Sequence, residues 1–249
     1  MSTHISYVTA PEDLPSHIAI LNGAPNFHNI FSISTEISAD WVKTAYQRGL
    51  FPWYSAGEPV LWHSPNPRMV LFLDRFNCSP SLKKRLKQWA RQPRHDMRVT
   101  LNRAFEQVIA ACAQTPRNGQ NGTWITPELT QAYVDLHHQH HAVSVEVWQG
   151  KQLVAGLYGV LIGHMFFGES MFTRITDGSK VALACWVKYL QQEQFKIIDC
   201  QQETEHLTRL GGAPISRAQF FSESAQLMQH ASIDWAKMAE QDNLLSAYI

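Results

Sequence analysis

The stretch Met165-Phe166-Phe167-Gly168-Glu169-Ser170-Met171-Phe172-Thr173-Arg174 decides how the rest of the chain is read. Three large apolar side chains and a glycine lead into a carboxylate. The segment therefore predicts a short buried strand that ends at Glu169 and then turns toward a helix. Glutamate is seldom buried without a partner or a task. Two readings stand: Glu169 caps the backbone of the next turn, or it lines a pocket and holds something cationic.

Working outward, Val143, Val145 and Val147 alternate with Ser144, Glu146 and Trp148, the period of a strand with one buried face. Gly150-Lys151 turns the chain into an apolar strand over residues 153–162, and Gly163-His164 turns it again. An antiparallel meander of three strands is expected. After it, Val181, Leu183, Ala184, Val187 and Leu190 predict a helix over 179–192, followed by a strand over 195–201. A strand–helix–strand crossover favours parallel pairing of that last strand with the meander. Along it, Asp199 and Gln201 share a face with Ile197, while Ile198 and Cys200 point the other way. Cys200 then reads as a small core hydrophobe, not a nucleophile. Two neighbouring strands deliver Glu169, Asp199 and Gln201 to one end of a sheet. With Trp53 and Trp124 supplied from elsewhere, that convergence looks like a pocket.

The whole chain sets bounds on these readings. Its 249 residues, 45% hydrophobic and 17% charged, fit a folded protein of one or two domains. The formal charge is zero, so any polyanion-binding surface must be local. The first residues lack the layout of a signal peptide, and no apolar run approaches a membrane span. Four dispersed cysteines without CxxC spacing fit reduced thiols, and a cytoplasmic monomer is expected.

In chain order, residues 1–30 carry Pro11, Pro15 and Pro25 and read as loop with at most a short helix or strand. Ser38 as N-cap, Asp40 near the positive end and Gly49 as the stop predict a helix with Trp41, Val42 and Ala45 on one face. The proline-locked run at 62–68 is the expected domain boundary, with a strand at 69–73 after it. Ser79-Pro80 opens a basic helix with Leu82, Leu86 and Trp89 on one side. Lys83, Lys84, Arg85, Lys87 and Arg91 fill the rest, and Arg94 and Arg98 follow. Seven of the 21 basic residues lie in this span against Asp96 alone. Most charge runs are merely solvated faces, but this concentration suits phosphates. An apolar-striped helix is predicted over 102–114, a polar loop over 116–122, and another helix after Thr126-Pro127-Glu128. His137 and His141 have the spacing of a metal pair, but no further ligand accompanies them. A helix C-terminus favouring imidazole is the simpler account, and no metal is expected.

Five pieces of the chain resemble the leucyl/phenylalanyl-tRNA–protein transferases. They are Ala45-Tyr46-Gln47-Arg48-Gly49-Leu50-Phe51-Pro52-Trp53-Tyr54-Ser55, Trp62-His63-Ser64-Pro65-Asn66-Pro67-Arg68, Gly122-Thr123-Trp124-Ile125-Thr126, Gly168-Glu169-Ser170-Met171-Phe172 and Asp199-Cys200-Gln201. They occur in family order and cover about residues 38–217. The resemblance implies an α/β (α+β) chain: a small N-terminal domain, residues 1–66, and an acetyltransferase-like (GNAT-like) catalytic domain with a central mixed sheet, residues 67–249. It implies transfer of leucine or phenylalanine, with methionine a further candidate, from aminoacyl-tRNA to proteins that begin with Lys or Arg. Such transfer marks the acceptor for degradation, the N-end rule.

By the same resemblance, Glu169 holds the incoming amino terminus, while Gln201, oriented by Asp199, accepts a hydrogen bond from the amine. An amide is a poor base, so Gln201 is a positioner; Asp199 is either a base through a relay or the group that orients the amide. Trp53, Trp124, Leu157, Met171, Leu183, Trp186, Leu190 and Ile198 match the pocket for the amino acid and the 3′ adenosine, though core packing is the plain alternative for Met171, Leu183 and Ile198. The family usually has Phe at position 186 and an aromatic at 190. The basic residues at 83–91 would follow tRNA phosphates. An activated ester needs no cofactor, only an aligned neutral amine. Two other classes are weighed. An acyl-CoA-dependent acetyltransferase needs a glycine-rich pyrophosphate loop; the nearest segment, Arg209-Leu210-Gly211-Gly212, has Pro214 where Gly or Ala belongs. An inactive tRNA-binding module leaves Glu169, Asp199 and Gln201 without a task.

Overall fold

The computed structural model describes residues 5–23, 29–91, 96–115 and 123–249. Two sheets organise them. The smaller joins β1 (Ser6–Tyr7), β2 (Ile30–Ser34), β3 (Phe51–Pro52) and β4 (Val60–His63) in the order β1-β2-β4-β3. Helices α1 (His17–Asn22) and α2 (Ala39–Gln47) belong to the same part of the chain. The Ser38 hydroxyl caps α2, and Gly49 follows it at φ 74°, as the sequence predicts. The described part of residues 1–30 holds β1 and α1 as well as loop; Pro25 lies outside the described residues.

The larger sheet is built from β5 (Arg68–Phe72), β6 (Met97–Leu101), β7 (Ala142–Gln149), β8 (Gln152–Ile162), β9 (Met165–Thr173), β10 (Ile197–Gln201) and β11 (Gly212–Ile215). Its order is β11-β5-β10-β9-β8-β7-β6. Every neighbouring pair is antiparallel except β9 and β10. The meander and the parallel crossover are those expected. α6 (Gly178–Gln192) makes that crossover.

Both faces of this sheet are covered. On one lie α4 (Phe105–Gln114), α5 (Pro127–His138), α7 (Arg217–Leu227) and α2, in a core that runs from Trp41, Tyr46 and Trp62 to Tyr158, Phe167 and Ile197. On the other lie α3 (Pro80–Arg91) and α6, packed on Leu157, Phe166 and Ile198. Adjacent residues such as Phe166 and Phe167 therefore enter different cores. Double coverage also corrects the reading of β7: residues 142–147 are all buried, not only the valines. Glu146 is inside, accepting from the Thr100 hydroxyl at 2.6 Å, and burial raises its carboxyl pKa. Arg98 sits on β6 and not in the basic helix, and Arg94 and the loop at 116–122 lie outside the described residues.

Candidate active site

Glu169 sits in the middle of β9, not at a strand end. Tyr158 pairs with Ser170 and Gly159 with Gly168, so Glu169 is the extra residue of a β-bulge. Gly159 permits it: a Cβ there would stand 2.2 Å from the Phe167 carbonyl oxygen. On the other side, β10 pairs with β9 at Ile198–Phe166 and Asp199–Phe167, and the ladder stops there. Beyond that point the two parallel strands part, and Gly168-Glu169 faces Cys200-Gln201 across an opening.

The opening has two lobes. One, about 300 Å³, is lined by Leu157, Phe166, Met171, Leu183 and Ile198, with Thr204, His206 and Leu207 at its side. The other, about 240 Å³, runs between Trp53, Trp124, Phe51 and Gln201. Glu169, Cys200, Thr204 and Leu207 line both, so the carboxylate stands where the lobes meet. Of the residues predicted for the pocket, Leu157, Met171, Leu183 and Ile198 line the first lobe, while Trp53 and Trp124 line the second. Trp186 and Leu190 line neither. Trp186 is fully buried behind the first lobe, edge-on to Phe166 at 5.2 Å, and Leu190 lies in the same core. Cys200 is half-buried at the cleft, where burial raises its thiol pKa. A raised thiol is a poor nucleophile, but Cys200 lines both lobes and is not the enclosed core residue that strand alternation predicts.

A phenol links the two polar groups that face the cleft. The Tyr46 hydroxyl, carried in by α2, donates to Glu169 Oε1 and accepts from Gln201 Nε2 at 3.0 Å. Burial pushes the Glu169 carboxyl up from 4.5 to about 7; the Tyr46 hydrogen bond and the nearby Tyr133 hydroxyl oppose the rise, the Asp199 charge adds to it, and Gln201 opposes it. Tyr46 and Tyr133 are themselves raised, by burial first and by the Glu169 charge second. A carboxyl titrating near 7 is matched to taking a proton from an amine at neutral pH.

Asp199 is placed differently. It is fully buried, lines neither lobe, and meets Arg68 in a two-pronged ion pair at 2.9 and 2.7 Å. Its Oδ1 accepts from the Gln201 backbone N–H at 2.9 Å. It therefore orients the backbone of Gln201; the side-chain amide is held by Tyr46. Reading the sequence for pocket residues missed Tyr46, Tyr133 and Arg68. The signal for Arg68 was present: an aspartate on a buried strand requires a buried cation.

The basic helix α3 buries Leu82, Leu86 and Trp89. Lys83, Lys84, Lys87 and Arg91 are exposed, and Arg85 is half-buried over the Trp89 ring, 3.7 Å from Asp177. Among the described residues no group of three His, Cys, Asp or Glu is placed to hold a metal. His137 stacks on Phe105 at 4.3 Å and shares a hydrogen bond with the Ala142 carbonyl, and His140 stacks on Trp235 at 4.4 Å. No helix among the described residues is long and apolar enough to cross a membrane.

Residues 70–225 match the family model of leucyl/phenylalanyl-tRNA protein transferase, and residues 35–66 match that of its N-terminal domain. A leucyl/phenylalanyl-tRNA–protein transferase of Burkholderia multivorans is 47% identical over 213 residues, 86% of this chain and 82% of the relative. One from Burkholderia cenocepacia is 44% identical over 226 residues, 90% and 88% of the two chains. Among solved structures, a GCN5-related N-acetyltransferase from Kribbella flavida aligns over 74% of this chain and 64% of that one, at 10% identity and a TM-score of 0.31. That likeness is too distant to bear on chemistry.

Proposed function

The chain belongs to the leucyl/phenylalanyl-tRNA protein transferase family, and on that premise we propose that it moves leucine or phenylalanine from tRNA to the N-terminal amine of proteins beginning with Lys or Arg. In this reading the esterified side chain enters the lobe of Leu157, Met171, Leu183 and Ile198, where each methylene contributes roughly 0.8 kcal/mol. The terminal adenine stacks between Trp53 and Trp124, and the acceptor-stem phosphates follow Lys83, Lys84, Lys87 and Arg91 on α3. Residues 1–66 form the N-terminal domain and 67–249 the catalytic domain. The protein acts as a cytoplasmic monomer and marks its acceptors for degradation.

The chemistry is an aminolysis. The α-amine attacks the ester carbonyl carbon, the new C–N bond forms as the C–O bond to the ribose breaks, and the ribose oxygen leaves with a proton. Glu169 receives the amine at the lobe junction and takes its proton, a task suited to a carboxyl near 7. Gln201, its backbone tied to Asp199, directs its amide toward the same point through Tyr46. The observation that carries the proposal is the placing of Glu169 where an apolar lobe and a tryptophan-walled lobe meet.

The test is incubation with labelled Leu-tRNA or Phe-tRNA and peptides that begin with Arg, Lys or Asp. Label on the Arg and Lys peptides alone is expected. Equal label on the Asp peptide contradicts the acceptor assignment, and label on none contradicts the transfer.

A further inference from the structure

Arg68 lies outside the cleft, yet its contacts reach both elements that furnish the cleft's polar groups. Its Nε and Nη2 donate to the two carboxylate oxygens of Asp199 on β10. Its Nη1 donates to the Gly49 carbonyl oxygen at 3.3 Å, just past the end of α2. The Phe51 and Phe220 rings lie against the guanidinium at 4.8 and 4.6 Å, fixing its plane. One buried cation thus grips the helix that carries Tyr46 and the strand that carries Gln201.

The grip has a consequence for Gln201. That residue takes φ 63°, a left-handed conformation that non-glycine residues rarely adopt without support. The support is the Gln201 N–H bonded to Asp199 Oδ1, and Arg68 fixes the plane of that carboxylate. A buried ion pair is in itself weak grounds for stability, whereas a forked, ring-clamped pair has strong directional control. We propose that Arg68 is a positioning residue for aminoacyl transfer: by holding Asp199 and the end of α2 together, it keeps the Gln201 amide on Tyr46 and beside Glu169. The inference rests on the transferase reading above.

The test compares wild type with Arg68→Lys in steady-state transfer of leucine to an Arg-initiated peptide. Lysine keeps a cation beside Asp199 but cannot hold its two oxygens and the Gly49 carbonyl at once. A fall in kcat of about 10- to 100-fold with KM for Leu-tRNA unchanged is expected. An unchanged kcat, or a loss carried by KM, overturns the inference. If Arg68→Lys does not fold, Phe220→Leu decides the matter by the same split, since it keeps both charges and removes one ring of the clamp. A wild-type chain that moves no leucine overturns the transferase reading and this inference with it; an active wild type beside a fully active folded variant overturns the inference alone.

Discussion

With its carboxyl raised from 4.5 to about 7, Glu169 approaches the range of an α-amino group, about 7.7–8.0. The shift bears on stability as well as on rate. Between 4.5 and about 7 the folded chain binds more protons at Glu169 than the unfolded chain does. The stabilising contribution is therefore full below about pH 4.5 and is lost as pH rises through about 7. Glu169→Gln has no such proton to lose, so in thermal melts it gains on wild type as pH climbs from about 5 to about 8. Parallel curves would contradict a raised carboxyl. Tyr46→Phe makes a second test. It removes a hydrogen bond that lowers the Glu169 pKa, so the acid limb of the kcat profile moves to higher pH; a limb that stays in place removes Tyr46 from the network. Tyr46 stood inside the first of the family-like segments, but nothing local marks a tyrosine on an apolar helix face as polar machinery. Its role comes from a partner more than 100 residues away along the chain.

Among the elements, α3 presents its charges and its apolar stripe on different faces, and only the stripe is needed for folding. Replacing Lys83, Lys84 and Lys87 by alanine leaves the melting temperature unchanged and flattens the salt dependence of tRNA binding by roughly three units of slope in log–log form. An unchanged slope removes α3 from the interface. The long elements were legible because period and caps agree: Ser38 and Thr126 cap the helices that follow them, and the apolar run of β8 spans its strand. The short strands β2, β6 and β11 carried no such signal. β2 contains Ser32 and Ser34, both buried, and the Ser34 hydroxyl accepts from Trp62 of β4; its existence depends on that neighbour. The bulge at Glu169 was hidden for the same reason, since it is a property of the β8–β9 register and not of either strand alone.

Across the molecule, both sheets close around one cleft: Phe51 of the first with Trp53 just past its strand, Glu169 and Gln201 of the second. Trp53→Ala should therefore weaken the use of Leu-tRNA and Phe-tRNA alike, because the adenine they share loses a stacking face, worth about 1–3 kcal/mol. Wild-type kinetics would place that ring outside the site. The sequence brought Glu169 and Gln201 to this cleft through the reading of two neighbouring strands, and six of the eight proposed wall residues through the family-like segments. It did not separate the wall from the layer behind it, where Trp186 and Leu190 lie, since both layers are equally apolar. The carboxylate at the junction of the lobes is the central group of the proposed transfer, and single-turnover transfer from saturating Leu-tRNA to an Arg-initiated peptide tests its role most directly. Glu169→Gln should slow the transfer step by about 100-fold or more while Kd for Leu-tRNA stays at the wild-type value. A variant that transfers at the wild-type rate, or one that fails only because it no longer binds Leu-tRNA, would contradict the amine-receiving role.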